Sequence, residues 1–177
     1  MTQNTNPELI DKVDSRTKLA GSNKMELLLF SLGTSEIFGI NVFKVREVSP
    51  TPPITLTPNM PFGVEGVISL RGSIIPVISL GKFVKLDADN DGIGETMIVT
   101  EFSRHTQGFL VKEVDRIIRV DWERVKPPES MLAGQEGMIT AITELDDGRL
   151  VSILDVERIL VEVLGEHLRV DRGRGDD

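Results

Sequence analysis

The chain has 177 residues, 40% hydrophobic and 27% charged, which is a soluble globular composition sized for one ordinary domain or two small ones sharing a core. A net charge of −8 leaves no basic stripe for nucleic acid or an anionic membrane surface. Absence of cysteine excludes disulfides, thiolate metal sites and cysteine nucleophiles; with no apolar run of membrane-spanning length and a polar start, the chain reads as cytoplasmic.

Asn6, Pro7 and Glu8 make a helix start, because asparagine caps, proline suits the first helical position and glutamate favours the positive helix end. Leu9, Ile10 and Val13 give that helix a short apolar stripe, and residues 14–24 read as a linker. The body opens with strands at 25–32 and 36–42, turned at Gly33, Thr34 and Ser35. Phe38, Ile40 and Val42 alternate at period two, whereas Val42, Val45 and Val48 are spaced by three. The strand therefore runs into one tight helical turn, which would carry Glu47. Pro50, Pro52, Pro53, Pro58 and Pro61 make 49–62 an extended loop or edge strand, because each removes a ladder donor. Two apolar runs, 67–70 and 74–80, meet at Arg71 and Gly72, where glycine allows a tight turn. Strands this apolar read as the middle of a core. Taken alone, Arg71 reads as a charge solvating the turn.

The second half repeats the first. Gly39, Val42, Val45 and Val48 stand at the same offsets as Gly108, Val111, Val114 and Ile117, and each set is followed by a proline pair, Pro52-Pro53 and Pro127-Pro128. Gly66, Val67, Ile68 and Ser69 then parallel Gly137, Met138, Ile139 and Thr140, and the hairpins end in apolar strands at 74–80 and 149–154. A period of about 70 residues is too long for a solenoid and suits a small β-barrel, so two similar sub-barrels with an apolar seam are expected. After them Asp155 caps a helix with Ile159, Leu160, Val163 and Leu164 on one face, and Gly165 is its expected stop.

Little in the chain points to chemistry. Asp87, Asp89, Asp91 and Gly92 resemble the first half of a calcium loop, but Ile98 stands where a bidentate glutamate belongs, so the run reads as a solvated acidic loop. A calcium-binding all-β module is the alternative reading. His105 and His167 are far apart, and no nucleophile elbow, phosphate loop or zinc-protease motif occurs. Nor does any carboxylate pair stand out for a hydrolase. No enzyme, cofactor or metal is therefore expected. Trp122 is a possible anchor for a partner, but reads as the residue closing one barrel end.

The run Phe38-Gly39-Ile40-Asn41-Val42-Phe43-Lys44-Val45-Arg46-Glu47-Val48 and residues 66–83 resemble the bacterial chemotaxis coupling domain of CheW and CheV. Residues 108–120 and 152–160 match its later motifs, and residues 9–21 with the Asn-Val-Phe-Lys-Val-Arg-Glu run favour the CheV type. The resemblance implies a mainly β fold of two interlocked five-stranded SH3-like barrels, with short helices near each end. Residues 1–24 would be helix and linker, 25–164 the coupling domain with its second sub-barrel beginning near residue 95, and 165–177 a tail. The thirteen residues after Leu164 are too few for the receiver domain of CheV proteins. It also implies an adaptor between chemoreceptor signalling tips and the histidine kinase CheA, recruited to receptor arrays without entering the membrane. Partner contacts carried over from the family fall on Val45, Glu47, Gly66, Arg71 and Ile117. Val45 and Ile117 would line an apolar groove, and Gly66 would let the partner backbone approach. Ser79 stands where relatives commonly have aspartate, and can still cap the helix after it.

Overall fold

A computed structural model describes residues 23–84, 94–128 and 138–172, with no side-chain description for residue 164 or 166–172. The described residues form ten strands. The first five are β1 (Lys24–Ser31), β2 (Ile37–Asn41), β3 (Val45–Pro50), β4 (Val64–Leu70) and β5 (Ser73–Ser79). The second five are β6 (Thr96–Phe102), β7 (His105–Val111), β8 (Glu113–Asp121), β9 (Ile139–Glu144) and β10 (Leu150–Leu154). Among the described residues, helices α1 (Leu80–Phe83) and α2 (Val156–Arg172) each follow the last strand of a set, and 3-10 turns sit at Val42–Lys44 and Trp122–Arg124.

One sheet has the order β8-β1-β2-β10-β9 and the other β3-β6-β7-β5-β4. Advancing every strand of the first by five gives the second, so the duplication read from Gly39 and Gly108 is the symmetry of the fold. Those two glycines hold equivalent places, opposite Ile153 and Val77 in the parallel pairings β2–β10 and β5–β7. Each repeat gives two strands to one sheet and three to the other. The second repeat begins near residue 95, at β6, and each sheet is built from both repeats. In each sheet the segment after one edge strand bridges the other edge. Thr55 and Val67 exchange bonds of 2.8 and 2.9 Å, and Lys126 and Ile142 do the same at 2.9 and 2.8 Å.

Local chemistry explains the elements. The Asn41 side chain accepts a 3.0 Å bond from the Phe43 N–H, which tightens the chain into the turn that carries it between sheets. Residues 27–30 are apolar without a break because both faces of β1 are buried. Leu28 and Phe30 face the main core with Phe38, Ile40, Ile78, Ile98 and Phe109, whereas Leu27 and Leu29 enter a smaller cluster with Val151 and Ile153. The mirror cluster of the other sheet holds Ile68, Ile75, Val77, Met97, Val99 and Leu110. Val156, Ile159, Leu160 and Val163 of α2 join the main core, and Asp155 Oδ1 accepts from the N–H groups of Glu157 at 3.0 Å and Arg158 at 3.3 Å.

Several expectations change. Strand β4 is a sheet edge rather than a core centre, Ile74 is 75% exposed, and Val67 is only half-buried. Glu47 lies in β3, because the period-three valines span a 3-10 turn and then a bulged strand rather than a helix. Helix α2 continues through Gly165. Trp122 is half-exposed, and His105 is exposed. The helix start at Asn6 and the loop at Asp87 to Gly92 lie outside the described residues. Phe109→Ala should cost about 3–5 kcal/mol, read from urea unfolding, whereas Ile74→Ala should stay within about 0.5 kcal/mol.

Candidate partner interface

One end of the second sheet gathers three of its elements. The chain enters β3 through a bulge between Val45, opposite Thr100, and Glu47, opposite Val99. The extra residue, Arg46, reaches across to β6, where its Nη1 donates 2.8 Å to Glu101 Oε2. From the far edge of the same sheet the two-residue turn Arg71-Gly72 joins β4 to β5, with φ of 49° and 81°. Positive φ at both positions matches the right-handed twist of a hairpin, and glycine supplies it without strain. Arginine does not. A left-handed non-glycine residue costs on the order of 1–2 kcal/mol.

What that conformation does is present the guanidinium to Glu47. Arg71 Nη2 lies 2.5 Å from Glu47 Oε2, with the carboxylate side chain 21% and the guanidinium side chain 70% exposed. The pair spans the two edge strands of the sheet, β3 and β4. Beside it opens a pocket of about 160 Å³ with Leu70 and Ile75 as apolar wall and Arg46, Ser73 and Thr106 as polar rim. An exposed ion pair contributes about 0–1 kcal/mol, which does not outweigh the strain of the turn, so the arrangement makes poor sense as a stability device. Pre-set charges of opposite sign around a small apolar opening suit recognition of a protein surface. No cluster of metal-ligating side chains occurs among the described residues.

The structure thus brings together two of the five residues expected at the interface, Glu47 and Arg71. Val45 is partly buried against the main core. Gly66 serves the chain itself: a side-chain carbon there would stand 2.3 Å from the Thr55 carbonyl oxygen, so its bareness admits the bridge that joins the sheet edges. Ile117 stands exposed on β8, in the other sheet. Reading the residues alone missed Arg46 with Glu101, and also Lys44 with Glu157, an ion pair that ties the first crossover turn to the start of α2. Gly66→Ala should destabilise by more than about 1 kcal/mol in chemical unfolding. Arg71→Asn should leave the unfolding free energy within about 1 kcal/mol of the parent, because relief of the turn offsets the lost pair.

Three comparisons with known proteins agree on one family. The model of the CheW-like domain family matches residues 26–164. Chemotaxis protein CheV1 of Helicobacter pylori is 32% identical over 170 residues, covering 85% of this chain and 52% of its own. Chemotaxis protein CheW of Klebsiella aerogenes is 31% identical over 147 residues, covering 81% of this chain and 87% of its own. The crystal structure of the scaffolding protein TtCheW from Thermoanaerobacter tengcongensis superposes with a TM-score of 0.66 at 30% identity, over 74% of this chain and 88% of that one. The chain spans about half the length of the CheV1 relative. CheV and CheW relatives match at nearly equal identity.

Proposed function

Since the chain belongs to the CheW-like domain family, whose members are chemotaxis scaffolds rather than enzymes, we propose that it couples chemoreceptor signalling tips to the histidine kinase CheA. The observation that carries this reading is the Glu47–Arg71 pair, raised on a strained turn where stability gives it no purpose. The family resemblance implies a helical receptor tip as the partner. An opening with an apolar wall and a pre-set pair of charges can read such a surface and fix its orientation. Ile117 adds an exposed apolar contact on the other sheet.

The coupling involves no covalent step. The scaffold favours whichever kinase conformation its contacts fit best, and a receptor that alters those contacts shifts the balance of kinase states. The site of action is the cytoplasmic face of the membrane, reached through the receptors. Among the described residues no helix is long and apolar enough to cross a membrane.

Arg71→Asp tests the assignment. Aspartate tolerates the left-handed conformation better than arginine, so the fold should persist, with the thermal midpoint within a few degrees of the parent. Placing a carboxylate against Glu47 should reduce co-sedimentation with receptor-tip fragments and CheA by about tenfold. Undiminished co-sedimentation removes Arg71 from the interface, and a chain that sediments with neither receptor nor kinase is not a coupler.

A further inference from the structure

The end of the second sheet that carries Arg71 holds another arginine in the same backbone state. Strands β6 and β7 are joined by the two-residue turn Ser103-Arg104, with Phe102 opposite His105. Both turn residues have positive φ, 50° at Ser103 and 68° at Arg104. A hairpin turn of this hand prefers glycine at its second position, and Arg71-Gly72 has glycine there. Ser103-Arg104 has arginine. Both of its residues therefore hold a left-handed conformation that is unfavourable for any side chain with a Cβ.

Sheet register places the two turns side by side. Strands β5 and β7 are parallel neighbours with Val77 opposite Gly108, and carrying that pairing four residues back sets Arg104 level with Ser73. Ser73 lines the pocket beside the Glu47–Arg71 pair, and so does Thr106, two residues after Arg104. Arg104 is exposed and stands at the rim of the same opening. Its charge is the one left unmatched. Arg46 is held by Glu101 at 2.8 Å and Arg71 by Glu47 at 2.5 Å, whereas no carboxylate meets the Arg104 guanidinium among the described residues. Three guanidinium groups thus stand against two carboxylates, on a chain whose net charge is −8.

Two explanations internal to the fold fail. Glycine would suit the turn better, so the backbone does not call for this residue. An arginine without a partner forms no ion pair, so stability does not call for it either. A free cation held at a strained position beside a recognition pocket has the character of a contact residue for an anion.

We propose that Arg104 is a third charged contact of the coupling site, and that it takes the carboxylate of a glutamate or aspartate on the receptor signalling tip. The inference rests on the coupling reading, which puts the tip at this opening, and adds the sign of the charge the tip must present there. A guanidinium can hold a carboxylate through two N–H groups at once, so it fixes orientation as well as attracting. Because the pair forms at an exposed rim, it acts mainly on the rate of encounter and weakens with salt.

The test compares the full-length parent with Arg104→Gly, Arg104→Glu and Arg104→Lys. Each is titrated calorimetrically with a receptor-tip fragment and separately with CheA, and is sedimented alone. Arg104→Gly relieves the turn, so its unfolding midpoint should rise while its affinity for the tip falls by about fivefold. Lost binding in a more stable protein cannot come from damage to the fold. Arg104→Glu should lose about tenfold or more, Arg104→Lys should stay within about threefold, and all three should bind CheA within about twofold of the parent. If the midpoint of Arg104→Gly does not rise, the contrast between glutamate and lysine decides, since both keep a strained side chain at the turn. Raising salt from about 50 to about 300 mM should weaken tip binding more steeply in the parent than in Arg104→Gly. A parent that does not bind the tip defeats the coupling reading, and this inference with it. A parent that binds the tip, with Arg104→Gly and Arg104→Glu binding it equally well, overturns the inference alone. So does a loss that is as large for CheA, or one seen only in self-association, which would give the cation to the kinase or to a second copy of the chain.

Discussion

The architecture depends on an apolar seam that neither repeat can build by itself. In β1, Leu28 and Phe30 face the seam while Leu27 and Leu29 face the inner cluster of their own sheet. In β6 and β7, Ile98, Phe109 and Val111 face the seam while Met97, Val99 and Leu110 face the other cluster. Burying a side chain of this size stabilises by about 1.5–3 kcal/mol, so the seam is worth far more than any surface contact. Because the repeats exchange strands, removing either one would strip both sheets at once. The exchange thereby makes two small sheets one cooperative unit.

With stability placed in the interior, the sheet ends are free to carry features that contribute little to it. The contrast between two ion pairs shows the difference. Lys44 with Glu157 joins the first crossover turn to the first turn of α2, where a glutamate also meets the positive helix end. It links elements distant in sequence and has an evident structural use. Glu47 with Arg71 instead holds a strained turn beside an open pocket, at a site where asparagine or glycine would suit the backbone better. A local choice that conflicts with the backbone around it marks a place where something other than folding has selected the residue.

Much of the fold was legible because its signals are local. Alternation at Phe38 and Ile40, the tight turn after Val42, the prolines from 50 to 61, the Arg71-Gly72 hairpin and the Asp155 cap each act within a few residues. The repeat was legible because duplicated glycines and valines keep their offsets. Strand partners were not, since β2 reaches across most of the chain to pair with β10, and no periodicity records which strand lies beside which. The same gap misled the reading of residues 67–70: an edge strand over a small cluster looks as apolar as a central one. Gly66 shows a related limit, because a missing side chain announces a close approach without saying whose backbone approaches. At the site, Arg71 was visible as an arginine on a turn, but its pairing with Glu47 depends on two edge strands meeting, which only the three-dimensional arrangement supplies.

The two repeats also work as an internal control on what the fold requires. Positions that keep their character in both copies, such as the bulge before Val48 and Ile117, the left-handed glycines Gly72 and Gly148 and the outward Ile74 and Leu150, are those the backbone or the patch needs. The charges between them are under no such constraint, since an exposed pair adds about 0–1 kcal/mol whichever way round it stands.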